Sequence, residues 1–278
     1  MIIPARWQDA KVHFRRQRVF CYNNRMNILI TGASSGIGAA LARAYARRGE
    51  RLFLSGRDTA RLDEVAAQCR MAGATAVETA ALDVTDEAAM REWIDRADAA
   101  APLDLVFANA GIATGEETEA NSRRTFAVNI GGVLNTVHPA VAAMRRHPVK
   151  AENCRGQIVI TASIAGYGPL KACPAYSATK ASVKTWGLAL RGMLKSERIR
   201  VNVVAPGFVK SRITDRNTCP MPFFMAADRA AEIIRARVGR DCALIAFPWP
   251  MRLGAWLLGS MPSWVNALVN RLLPRKVI

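Results

Sequence analysis

With 278 residues, 51% of them apolar and 22% charged, the chain can bury roughly three quarters of the surface its unfolded form exposes, which excludes a disordered segment or a disulfide miniprotein. Lys and Arg number 39 against 22 Asp and Glu, a formal net charge of +17 that draws anions without choosing among them. The six cysteines, at 21, 69, 154, 173, 219 and 242, stand no closer than 19 residues apart, so metal-ligand spacing is absent, no metal is expected, and free thiols in a reducing cytoplasm are the expectation.

Residues 1–25 carry Arg6, Lys11, Arg15, Arg16, Arg18 and Arg25 against Asp9 alone. Two readings stand for this basic segment, a poorly ordered extension first and an arm that touches acidic lipid or a partner second. From residue 27 short apolar runs alternate with amphipathic stretches. Strands are predicted at 27–31, 51–55, 76–82, 103–108, 156–161, 200–204 and 243–247, and helices at 36–48, 59–72, 86–99, 122–146, 175–195 and 225–238. Such alternation predicts an α/β fold, a doubly wound parallel sheet of about seven strands with helices on both faces, in a single domain over 26–247. A tail follows over 248–278. Ligands of such sheets bind beyond the carboxyl ends of the strands, so the chemistry is expected there.

The first strand runs directly into TGASSGIG, where Gly32, Ser34, Ser35, Gly36, Ile37 and Gly38 form a turn that opens a helix. A pyrophosphate approaches backbone closely only where side chains are missing, and a helix N-terminus offers it free N–H groups. After the second strand stand Gly56 and Arg57, where NAD-binding folds place an acid on the ribose. An Arg there suits a 2'-phosphate, so NADP(H) is expected over NAD. Asp83 and Val84 follow the third strand, with two roles open: capping the next helix or meeting the adenine amine. Phe107 to Gly111 close the fourth strand with small residues, Asn109, Ala110 and Gly111, as a backbone lying against a cofactor requires. Tyr176 and Lys180, four residues apart on a predicted helix, share a face, and a fixed ammonium is expected to lower the pKa of the phenol. Ser163 closes the strand before them.

Together these residues resemble the short-chain dehydrogenase/reductase family over about Met26 to Phe247. The resemblance rests on TGASSGIG, Asn109-Ala110-Gly111, Asn129 in AVNIGG, Ser163, the pair Tyr176 and Lys180, and Pro206-Gly207. It implies a Rossmann fold and a hydride transfer between nicotinamide and a small-molecule carbonyl or alcohol substrate. Tyr176 then exchanges the proton, Ser163 orients the carbonyl, Lys180 binds the nicotinamide ribose and tunes Tyr176, and Asn129 holds a relay water. It further implies cofactor contacts from Pro206, Gly207, Val209 and Ser211, and a homodimer or homotetramer through the helices bearing Asn129 and Tyr176. Ala108 stands where relatives often have an asparagine, and Ser211 where many have threonine. A non-catalytic dinucleotide-binding regulator is the second reading, against which the Tyr176–Lys180 pair argues, since a sensor needs neither.

Phe208 to Met225 occupy the place of a substrate lid, with core or interface packing as the other reading of their apolar residues. Nucleic-acid binding needs an aromatic-interleaved basic stripe, which the sequence lacks. The acid-free tail reads as two short helical runs broken by Pro262, too interrupted to span a bilayer. Trp264, Val265, Leu268, Val269 and Leu272 are predicted to form its covered face, with Asn266 and Asn270 outside it. A partner or the core ranks first as the cover, and peripheral membrane contact second.

Overall fold

Parallel strands buried on both faces are apolar at consecutive positions rather than alternate ones, and the runs NILIT, RLFLSG and GQIVIT have that character. The computed structural model describes residues 25–272 except 151, 152, 216, 218 and 219. The basic extension lies outside these residues apart from Arg25, as do the tail residues 273–278. Seven strands, β1 (Asn27–Thr31), β2 (Arg51–Gly56), β3 (Ala76–Ala81), β4 (Leu105–Ala108), β5 (Gly156–Thr161), β6 (Ile199–Pro206) and β7 (Leu244–Phe247), make one parallel sheet in the order β3-β2-β1-β4-β5-β6-β7. The expected α/β doubly wound fold is the observed one.

The helices that cover one face are α1 (Gly36–Ala46), α2 (Thr59–Met71) and α8 (Ala227–Val238), packed through Leu41, Tyr45, Leu62 and Ile234 on Ile28, Ile30, Leu54 and Phe107. The other face carries α3 (Glu87–Ala100), α4 (Glu119–Phe126) with α5 (Gly132–Arg145), and α6 (Pro174–Met193). Trp93, Val137 and Val183 meet Leu29, Phe53 and Ile158 there. Because the chain winds from β1 toward β3 and then crosses to β4, the sheet reverses direction between β1 and β4, opening a crevice at their carboxyl ends.

The predicted helix over 122–146 is longer and less regular than its periodicity suggests. It starts at Glu119, and Ala127–Gly131 between α4 and α5 is wound as a π-helix. This stretch is long and apolar enough to cross a membrane, but more than half of it is buried inside the molecule, as befits a core helix. After β6 come the short α7 (Arg212–Asp215) and then α8, with the backbone bridging Val209 to Met225. The tail forms α9 (Trp249–Ser260) and α10 (Ser263–Leu272).

The predicted face of α10 is only partly covered: Val265 and Val269 are half-buried, but the residue turned fully inward is Asn266. Asn266 is 5% exposed and donates to the Leu258 carbonyl at 2.9 Å, whereas Trp264 and Leu268 are 72% and 53% exposed. The amide satisfies the free end of α9, and a helix of under three turns that turns one residue inward must turn the opposite face out.

Candidate active site

The glycine turn after β1 is built by exclusion of side chains. Gly32 adopts φ +66°, and a Cβ there would stand 2.8 Å from the Ala110 Cα. A Cβ on Gly38 would meet the Gly32 carbonyl oxygen at 2.3 Å and Asn109 Nδ2 at 2.7 Å. Thr31 ties this turn to β4: its hydroxyl donates to the Phe107 carbonyl (3.1 Å) and accepts from the Asn109 and Ala110 amides (3.0 and 3.2 Å). Asn109 completes the tie, donating to the Thr31 carbonyl at 3.1 Å and accepting from Thr161 at 3.3 Å. Helix α1 then starts at Ser35 with no side-chain cap and no acid in its first turn, leaving its N-terminal N–H groups to face the crevice.

Around this turn lies a cleft of about 940 Å3. Of the residues singled out in the sequence, Gly32, Ser34, Ser35, Gly36, Ile37, Arg57, Asp83, Val84, Asn109, Ala110, Gly111, Ser163, Tyr176, Lys180, Pro206, Gly207, Val209 and Ser211 line it. Gly38 and Asn129 sit behind the wall. At one end, the Arg57 guanidinium pairs with Asp83 at 3.4 Å while half exposed. Asp83 does not cap α3, whose first turn is capped by Asp86. Burial of Asp83 works against its charge, but hydrogen bonds from the Thr85 amide and hydroxyl, with the Arg57 charge, hold its carboxyl below the usual range. A Cβ on Gly56 would stand 3.1 Å from Ser34 Oγ, so the position that carries an acid in NAD-binding folds is crowded here.

At the other end, Ser163 closes β5 and its hydroxyl accepts from the Ala165 amide at 3.1 Å, fixing the following turn Ile164–Tyr167. Tyr176, partly exposed on the cleft, stands near Ser163, whose hydroxyl favours the phenolate, while Ser163 Oγ itself donates to the Pro206 carbonyl at 3.4 Å. Lys180 is buried, its ammonium donating to the Thr161 carbonyl at 2.9 Å and lying 5.8 Å from the centroid of the Tyr176 ring. The lowered phenol expected from this pair is not what the structure gives. Burial pushes Tyr176 up to about 12, outweighing the Ser163 hydroxyl, and burial draws Lys180 down to about 8. The ammonium is aimed at a backbone carbonyl rather than at the phenol oxygen, so desolvation of both groups wins over their attraction.

Asn129 lies on the π-helical stretch and is fully buried. Its amide donates to the Ile112 carbonyl (2.9 Å) and to Thr179 (3.1 Å), and its oxygen accepts from the Ile112 amide (2.8 Å). Both side-chain donors are therefore committed to holding the segment after Gly111 against α6. π-Helical turns recur at functional sites because they rotate one residue out of helical register.

Several functional positions escaped sequence reasoning. Thr31 and Thr161 bind the strand ends together, and Arg124 and Arg212 add positive charge to the cleft. Glu117, from the segment before α4, accepts the Ala175 amide at 3.1 Å and so caps α6 where Cys173 makes no side-chain cap. A carboxylate capping from 58 residues away leaves no local signature. Replacement by alanine strands a buried N–H at the start of the helix that bears Tyr176 and Lys180. Glu117→Ala is expected to cost about 1–3 kcal/mol, measured by urea unfolding.

Pro206, Gly207 and Ser211 line the cleft as expected, with Ser211 Cβ 2.9 Å from where a Cβ on Gly36 would stand. Phe223 and Phe224, in the segment predicted as a lid, are 59% and 47% exposed and thus are not core.

A family model described as short chain dehydrogenase matches residues 26–220. An uncharacterized oxidoreductase of Myxococcus xanthus is 39% identical over 238 residues, covering 84% of this chain and 92% of that protein. Sulfoacetaldehyde reductase 2 of Chromohalobacter salexigens is 34% identical over 194 residues, covering 67% and 74%. Among solved structures, a short-chain dehydrogenase from Sphingobium yanoikuyae in complex with NADPH superposes with a TM-score of 0.72 at 27% identity, covering 89% of this chain and 93% of that one. One from Burkholderia phymatum in complex with NAD gives 0.74 at 24% identity, covering 84% and 92%, a likeness of fold. With its glycine turn, its Ser163, Tyr176 and Lys180 on one cleft wall, and these relatives, the chain belongs to the short-chain dehydrogenase family of oxidoreductases.

Proposed function

We propose that the protein is an NADPH-dependent reductase of a carbonyl compound, with Tyr176 as general acid. The observation that carries this reading is the meeting of Ser163, Tyr176 and the buried Lys180 on the wall of one cleft whose other end is a side-chain-free glycine turn. The fit to a dinucleotide is supported by that turn, which a Cβ at 32 or 38 would fill, and by the uncapped, acid-free start of α1. Ser34, Ser35, Gly36 and Ile37 would hold its phosphates, Val84 and Asp83 its adenine, and Lys180 its nicotinamide ribose. A nicotinamide bound there supplies the hydride.

The protein's own part is position and the proton. Ser163 donates to the substrate oxygen and orients the carbonyl toward the cleft. Tyr176, held as a neutral phenol by burial, gives its proton to the same oxygen as charge builds there, within the hydrogen-bond reach that general-acid catalysis demands. Lys180, still an ammonium at neutral pH, stabilises the phenolate left behind. Asn129, its side chain fully engaged, holds the segment after Gly111 against α6 and so positions the wall behind Lys180.

Preference for NADPH over NADH is supported by Arg57 at the mouth of the adenosine end, by the crowded Gly56, and by the NADPH complex of the Sphingobium relative. A guanidinium on a 2'-phosphate contributes about 1.5–3 kcal/mol as a charge-assisted hydrogen bond. Arg57→Ala is therefore expected to raise the KM for NADPH about ten- to hundredfold and leave that for NADH nearly unchanged. Oxidation of NADPH followed at 340 nm over a panel of aldehydes and ketones tests the whole reading, and tight binding of the cofactor with no turnover on any carbonyl would replace it with the sensor.

A further inference from the structure

Helices α9 and α10 present apolar side chains that nothing among the described residues covers. On α9, Trp249, Leu253, Trp256 and Leu257 recur at helical spacing, and they are 73%, 47%, 54% and 45% exposed. On α10, Trp264 and Leu268 are exposed, because Asn266 is the residue turned inward. Met261, between the two helices, is exposed as well. The described core therefore does not bury this set, and six large apolar side chains exposed on two successive helices are of the kind that soluble monomers rarely leave bare.

We propose that this face seats the protein on an anionic lipid surface. Three of its large residues are tryptophans, whose amphipathic rings favour the headgroup level of a bilayer. The charge within the segment itself has one sign: from Phe247 to Ile278 there is no Asp or Glu, while Arg252, Arg271, Arg275 and Lys276 are present. Arg252 and Arg271 stand exposed on the same two helices, and Lys171 donates to the Arg271 carbonyl at 3.1 Å, adding a third cation at the end of α10. A cationic rim around an apolar, tryptophan-rich face complements acidic phospholipid.

The same charges argue against a second copy, because a two-fold interface would set each cationic rim against its duplicate. They argue equally against the chain's own first 25 residues, which are themselves basic and lead into β1 at the amino end of the sheet. The face lies at the carboxyl end: β7 ends at Phe247 opposite Pro206, α9 begins two residues on, Met251 Sδ would stand 2.9 Å from a Cβ on Gly207, and the Tyr167 carbonyl abuts Gly259. The lipid-facing surface therefore borders the end of the cleft that holds Ser163, four residues before Tyr167.

Flotation of the full-length protein with vesicles of phosphatidylcholine containing about one third phosphatidylglycerol, against pure phosphatidylcholine, tests this. The expected result is flotation with the acidic vesicles, weakened by salt, and a blue shift of tryptophan emission on binding. The double variant W256D/L268D, altering two exposed side chains outside the cleft, is expected to lower the partition onto acidic vesicles by at least about tenfold while thermal unfolding and NADPH binding stay as in the parent. Absence of flotation with acidic vesicles overturns the proposal. So does a dimer in light scattering that W256D/L268D converts to monomer, since a second copy would then own the face. Neither outcome touches the carbonyl-reductase reading, which is decided in solution.

Discussion

Tyr176→Phe is expected to lower kcat for carbonyl reduction by about 10²–10⁴, the range a positioned general acid contributes, with NADPH affinity changed by less than about twofold. The substitution removes one oxygen beside Ser163 and leaves the ring in place, with the Lys180 ammonium 5.8 Å from its centroid. On the proposed reading cofactor affinity resides elsewhere, in the glycine turn and Arg57. A loss of binding along with turnover would mean that the phenol is a structural post and not the acid. The pH dependence gives a second check. With the phenol held near 12 and Lys180 near 8, the free enzyme at neutral pH carries a protonated acid above a charged ammonium. Lys180 loses its proton as pH rises through about 8, and with it goes the charge that stabilises the phenolate, so kcat/KM for reduction should be flat below about pH 7 and fall above 8.

That titration order was hidden from the sequence. Four-residue spacing puts Tyr176 and Lys180 on one face, but whether their charges help each other depends on how much protein surrounds them and on where the ammonium points. The Thr161 carbonyl, on a strand end brought in by tertiary packing, takes the ammonium. Strand positions, by contrast, were legible because burial on both faces demands unbroken apolar runs, and β1 and β5 begin and end where their composition changes. β6 runs on to Pro206, beyond its predicted end at residue 204, because Pro206 pairs with Phe247 at the last rung of the ladder. The glycine turn was legible for a related reason, since the absence of side chains is itself a sequence property. Glu117 and the inward turn of Asn266 on α10 were not. Each depends on a backbone group left unsatisfied by another helix, the Ala175 amide in one case and the Leu258 carbonyl in the other. Periodicity sees the residues of one helix and not the needs of its neighbour.

Gly38→Ala is expected to reduce NADPH affinity by more than about a hundredfold, close to 3 kcal/mol, while the protein remains folded. The added methyl would stand 2.3 Å from the Gly32 carbonyl oxygen and 2.7 Å from Asn109 Nδ2. Neither neighbour can yield cheaply. The carbonyl belongs to a residue at φ +66° whose own Cα hydrogen faces the Ala110 backbone, and the Asn109 amide is bonded to the Thr31 carbonyl at 3.1 Å. The turn must therefore lift away from β4, carrying with it the N-terminal N–H groups of α1 on which the phosphates would rest. Overpacking of this kind costs about 1–3 kcal/mol of stability, within what a domain of this size tolerates. Gly192→Ala provides the contrast: a Cβ there meets nothing within 4 Å, and on the exposed side of α6 the methyl is expected to stabilise by about 0.5–1 kcal/mol with no change in NADPH binding. Titration of NADPH fluorescence together with urea unfolding separates the two effects, and equal cofactor affinity in Gly38→Ala and the parent protein would show that the phosphates rest somewhere other than this turn.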